Sequence, residues 1–171
     1  INPEWLFRLF ETARAETVVF EDLGDEIRYI GRHHGYARLE QPAVHERTFR
    51  FRPGDGALLI TDRLTGRGSH ACRWHFHLAP GIAAEAAAPG VALLKAAGRQ
   101  YALVTDGMID PVVSPAWYSP SYGVRVPCLA VDFERPVTLS GDATMWFAIF
   151  GHGGAPTEAR ARAKAEWRAA G

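Results

Sequence analysis

The chain has 171 residues, 47% of them hydrophobic and 22% charged, with 19 Lys and Arg balancing 19 Asp and Glu. That length makes about one domain with a core that needs no staples, and the composition excludes wholesale disorder. A neutral chain without a basic block lacks the electrostatic footprint of a nucleic-acid binder, so no nucleic-acid partner is expected, and no run reaches the ~20 apolar residues that cross a bilayer.

Ile1–Phe10 carries Glu4 and Arg8 and has neither an initiator Met nor a signal pattern, so the chain reads as a piece of a longer one. A short helix is expected over Pro3–Ala15, then strands over Thr17–Glu21 and Glu26–Gly35. In Val44–Arg52, Phe49 and Phe51 alternate with Thr48, Arg50 and Arg52, the period of a half-buried strand. Pro53-Gly54-Asp55-Gly56 turns the chain and Ala57–Leu64 returns it as a hairpin, with Thr65-Gly66-Arg67-Gly68 as the next turn. His70–Leu78 alternates most cleanly: Cys72, Trp74, Phe76 and Leu78 share one face, and Arg73, His75 and His77 the other. Gly81–Gly90 is Ala-rich and too short to be low complexity.

Val91–Ala96, Gln100–Thr105, Val124–Phe133 and Met145–Gly151 complete the expected strands. Ser114–Gly123, with two prolines and three large aromatics, reads as a structured loop. The tail Thr157–Ala170 alternates alanine with charge; it reads as a helix capped by Thr157, with Glu158/Arg162 and Arg162/Glu166 at i,i+4 and Trp167 packed inward. Turn signals every ~8–12 residues without long helices between strands predict an all-β fold: an antiparallel β-sandwich with a C-terminal α-helix, one domain over 1–171.

Residues fit for chemistry are few. His75 and His77 lie about 7 Å apart on one strand face, within reach of one metal ion, yet no third ligand follows; two polar residues on a solvent face is the plainer account. His33, His34, Tyr36, His45 and Arg47 form a second polar group, able in principle to move protons and steady a carboxylate, with strand-surface and turn roles as the alternative. Trp117, Tyr118 and Tyr122 offer faces for sugar rings, or else plug the end of the sandwich or meet a neighbouring domain. Asp55, Asp62, Asp106, Asp110 and Asp132 sit beside glycine, proline or strand ends, where turn chemistry accounts for them. Cys72 and Cys128, the only cysteines, read as two buried free thiols, with a single bridge as the alternative. No nucleophile elbow, phosphate loop or zinc motif occurs.

Several motifs resemble one family. His34-Gly35-Tyr36-x-Arg38-Leu39, Pro42-x-Val44-His45-x-Arg47, Leu59-x-x-Asp62-Arg63-Leu64-x-Gly66-x-Gly68-x-His70 and Phe76-His77-Leu78-Ala79-Pro80-Gly81 look like the C-terminal part of heparinase II/III-like proteins. Trp117-Tyr118-Ser119-Pro120-x-Tyr122-Gly123, followed by Pro127, is similar to a later segment of that family. Family members join a helical toroid to antiparallel β-sandwich layers, and the characterised ones cleave acidic polysaccharides by β-elimination at uronic acids.

The resemblance implies a C-terminal, non-catalytic β-sandwich of a polysaccharide lyase, inactive alone, that supports cleavage of uronic-acid-containing chains such as glycosaminoglycans by its parent. The family's catalytic Tyr and His come from the toroid and a preceding sheet, and none of those motifs lies in Ile1–Gly171, so no residue is assigned a catalytic role. The same resemblance implies an upstream toroid as partner, contact with acidic polysaccharide through the parent, a periplasmic or secreted setting and no cofactor. Candidate substrate contacts are Trp117, Tyr118, Tyr122, His34 and Tyr36; the weak metal candidates are His75 and His77. The alternative is a free-standing carbohydrate-binding module.

Overall fold

Alternating side-chain polarity becomes nine antiparallel strands and one helix in the computed structural model, which describes residues 13–106 and 109–170. These are β1 (Glu16–Asp22), β2 (Ile27–His33), β3 (Ala43–Arg52), β4 (Ala57–His77), β5 (Ala83–Ala88), β6 (Val91–Ala96), β7 (Arg99–Val104), β8 (Val112–Tyr118), β9 (Val126–Gly151) and α1 (Pro156–Ala170). The sheet runs β1-β2-β3-β4-β9-β7-β6-β5, and β8 pairs with β9 off that path. All but the last three residues of the expected helix Pro3–Ala15 lie outside the described residues.

The sandwich is made by folding one long hairpin. β4 and β9 stay in register from Leu58↔Ile149 to His77↔Ala130, far beyond an ordinary strand length. Their crease lies where Gly66 faces Gly141, and Gly68 and Gly141 take φ of +87° and +137°, open to glycine at little cost. Beyond the crease, Trp74 and Phe76 come back over Phe147, with ring centroids 6.0 and 5.0 Å away, and Phe133 meets the same ring at 5.3 Å. Thr65-Gly66-Arg67-Gly68 is therefore a crease inside a continuous strand and not the expected turn. A Cβ at Gly66 would overlap the Pro42 carbonyl and come within 2.9 Å of the Ala43 Cα, so close approach of backbone also requires glycine there.

Two cores result. Ile60, Trp74, Leu103, Phe133 and Phe147 fill the space between the layers, while Val104, Trp146 and Phe150 lie on the other face of the main sheet. β9 accordingly reads as a continuous apolar run from Met145 to Phe150, because successive side chains enter different cores. Helix α1 covers the second core: Ala159 and Ala163 are fully buried, and one turn on, Trp167 stacks on Trp146 at 5.6 Å. The helix starts at Pro156, and the Glu158 carboxylate accepts the Ala155 backbone N–H at 3.2 Å, a side-chain cap in place of the expected Thr157 cap. Arg162 reaches Glu166 at 3.6 Å as expected.

Two further expectations are corrected. The first half of Ser114–Gly123 belongs to edge strand β8, where Pro115 is tolerated because only one side pairs. Val124–Phe133 and Met145–Gly151 are parts of one strand, and the alanines at 83–88 form β5. The hairpin of β3 and β4 forms as expected, and Asp55 caps its turn by accepting the Ala57 N–H at 3.1 Å.

Candidate functional site

Two aspartates organise the polar residues. In the β3–β4 ladder Arg47 stands directly opposite Asp62, so both project to the same face, the one that looks between the layers. The Asp62 carboxylate is fully buried. It accepts Arg47 Nε and Nη2, each at 2.7 Å, in a bidentate fork, and His45 Nε2 at 2.5 Å. Burial alone would raise its pKa; the bonds from His45 and Arg47 outweigh that and hold it below the ordinary carboxylate value.

A directed chain follows from this ionised acceptor. His45 donates from Nε2 to Asp62, and its Nδ1 accepts from His33 Nε2 at 3.0 Å. His33 Nδ1 accepts the Gly35 N–H at 3.3 Å, which settles which His33 nitrogen carries the proton. Burial first, then electrostatic repulsion from its neighbours including the Arg47 guanidinium, pushes the His33 pKa down. Tyr36 lies edge-on to His33 at 5.1 Å, and His34 Nε2 contacts Glu16 at 3.4 Å. Both ring nitrogens of His33 and of His45 are thus engaged, which leaves neither ring a free base.

The second aspartate lies on the outer face of the small layer. Asp132 faces His75 across β4 and β9 and accepts its Nδ1 at 2.6 Å. Arg73 adds a fork, Nε at 3.0 Å and Nη2 at 2.7 Å. Those hydrogen bonds, Arg73 first, lower the Asp132 pKa against desolvation. His75 stacks on His77 at 5.9 Å, and His77 Nε2 donates to the Trp117 carbonyl at 3.1 Å with Cys128 Sγ 3.3 Å away. The expected metal candidates are therefore engaged by protein partners, and no metal-holding group of three side chains occurs among the described residues. Cys72 and Cys128 are free thiols, partly rather than fully buried.

The expected substrate contacts separate into two places. His34 and Tyr36 belong to the connection after β2, beside the Asp62 cluster. Trp117, Tyr118 and Tyr122 belong to the far end of β8 and the loop after it, all exposed, with the Arg125 guanidinium 4.1 Å over the Trp117 ring. Asp62 and Asp132 are corrected from turn residues to ion-pair centres within strands. The signal that finds Asp62 is parity: it occupies the inward slot between Ile60 and Leu64, where an unpaired carboxylate would be prohibitive.

The profile of the family described as Heparinase II/III-like, C-terminal, matches residues 7–163. The chain belongs to this family. Among solved structures it is similar to a heparan sulfate lyase HepC from Pedobacter heparinus, with a TM-score of 0.67 and 14% identity over 82% of this chain and 22% of that one. A heparinase III gene product superposes with a TM-score of 0.64 and 17% identity over 81% and 21% of the two chains. A further heparinase III gives 0.66 and 10% over 82% and 22%. Those likenesses establish the fold, and the chain spans about a fifth of each matched protein. Among curated proteins no match is found. In this heparinase II/III-like domain the motif residues His45, Arg47 and Asp62 form the inner cluster, and Gly66 and Gly68 lie at the crease.

Proposed function

We propose that this heparinase II/III-like domain is the C-terminal β-sandwich of a polysaccharide lyase and supports, without catalysing, β-elimination at uronic acid residues by its parent. That reaction needs a base to take the C5 proton, a group to neutralise the neighbouring carboxylate and an acid for the departing oxygen. The observation that carries the reading is the closure of the inner cluster: His33, His45, Arg47 and Asp62 bond one another inside a domain spanning about a fifth of the lyases it resembles. In this reading an upstream helical toroid supplies the proton-moving groups, the acidic polysaccharide meets the parent chain, and the setting is periplasmic or extracellular. No cofactor is called for.

Heparan sulfate and alginate incubated with the chain alone are expected to give no ultraviolet-absorbing unsaturated product. Sustained turnover would overturn the reading.

The exposure of Trp117, Tyr118 and Tyr122 favours a second role, a surface for a sugar chain or a neighbouring domain. A free-standing carbohydrate-binding module would bind oligosaccharides with sub-millimolar affinity in calorimetry and lose that binding in Tyr122→Ala without unfolding. The supporting-domain reading expects no binding that depends on Tyr122.

A further inference from the structure

The crease in β4 leaves a cleft of about 220 Å³ between the strand's two halves. Leu64 on one side of the crease and Cys72 and Trp74 on the other give it an apolar floor together with Leu139 of β9. The connection between β2 and β3 forms its outer wall with Tyr36 and Leu39. That wall is pinned in place: Gln41 Oε1 accepts the Ser69 N–H at 2.6 Å, Pro42 O accepts the Arg67 N–H at 3.3 Å, and Tyr36 O accepts the Ala43 N–H at 3.3 Å. A space built this way exists before any ligand arrives.

Arg47 and His70 line the cleft, and no Asp or Glu side chain does; His45 and Arg73 also border it, but His45 is bonded through both ring nitrogens and Arg73 forks onto Asp132 on the outer face. Asp62 stands behind Arg47 and His45, wholly buried and bonded to both. The Arg47 fork uses Nε and Nη2 on Asp62, and its side chain, about a third exposed, retains N–H groups for a second acceptor. Spare guanidinium N–H donors on Arg47 over an apolar, aromatic floor suit an anion carried on a ring. The volume lies below the ~300 Å³ at which pockets for drug-sized ligands begin, so it takes one ring and not a polymer segment.

We propose that this cleft binds a single carboxylated sugar ring, a uronate unit at a chain end or free, with its carboxylate on Arg47 and its body between Tyr36 and the Trp74 floor. The choice of a sugar rests on the lyase reading above; the choice of a ring-borne anion rests on the cleft itself.

Cys72 lines the cleft and Cys128 does not, so the chain carries its own probe and reference. N-ethylmaleimide labelling of both thiols would be followed by mass spectrometry with sodium glucuronate, sodium benzoate or glucose, alongside titration of the Trp74 indole resonance. Glucuronate is expected to slow Cys72 labelling saturably, leave Cys128 unchanged and shift the indole with the same midpoint; glucose at equal concentration is expected to do neither. Tyr36→Ala, on the exposed wall, and Arg47→Lys, which keeps a charge beside Asp62 but loses the fork, should each weaken that midpoint about tenfold with unchanged circular dichroism. Glucuronate without effect on Cys72 and Trp74, or glucose or benzoate matching it, would overturn the proposal. The lyase reading is decided separately, by product formation.

Discussion

Asp62 and Asp132 receive the same partners, an arginine fork and a histidine ring nitrogen, from neighbouring strands of one sheet. Their settings differ. Asp62 lies between the layers and its carboxylate has no solvent exposure, whereas Asp132 lies on an outer face and is covered mainly by its own partners, Arg73 (57% exposed) and His75 (45%). One constellation thus supports two energetic roles. Between the layers a lost partner strands a charge in apolar surroundings; on the outer face water replaces it.

The largest test of that contrast is Asp62→Asn. It leaves Arg47 and His45 without their counter-charge and is expected to cost about 3 kcal/mol in urea unfolding. The same change at Asp132 is expected to cost less than about 1 kcal/mol, and that loss should shrink as salt is raised toward 1 M, where screening is nearly complete beyond ~3 Å. Equal losses at the two sites would erase the distinction.

The smallest effect is on pH dependence. His33 has a folded pKa below the ordinary imidazole value of about 6.5, so as pH falls through that value the unfolded chain takes up the proton first. Stability is therefore full above about pH 6.5 and declines toward the lower folded pKa. His33→Gln should flatten thermal midpoints measured between about pH 7 and 5 relative to the unsubstituted chain.

Much of this architecture was legible in residue order. The alternations Val44–Arg52 and His70–Leu78, the turn at Pro53–Gly56 and the alanine-rich tail led to the hairpin, the inner face of β4 and the helix. The crease was not, because Thr65–Gly68 has the composition of a reversal, and only the Gly66↔Gly141 pairing makes it a fold in a strand. Asp62 and Asp132 escaped for a related reason. Aspartate beside a presumed turn satisfies local backbone, and the arginines that claim these two lie 15 and 59 residues away in sequence. The segment motifs pointed to the family, but the inner cluster needs register, which periodicity within one strand does not contain.

Because one creased hairpin supplies strands to both layers, neither layer is a separable part. Cutting the chain before Val126 would remove a central strand from each at once, so partial versions of this domain should fail as wholes. The pairing of Leu58 with Ile149 also closes a long loop early or not at all, which makes assembly slow and cooperative compared with a meander of the same size.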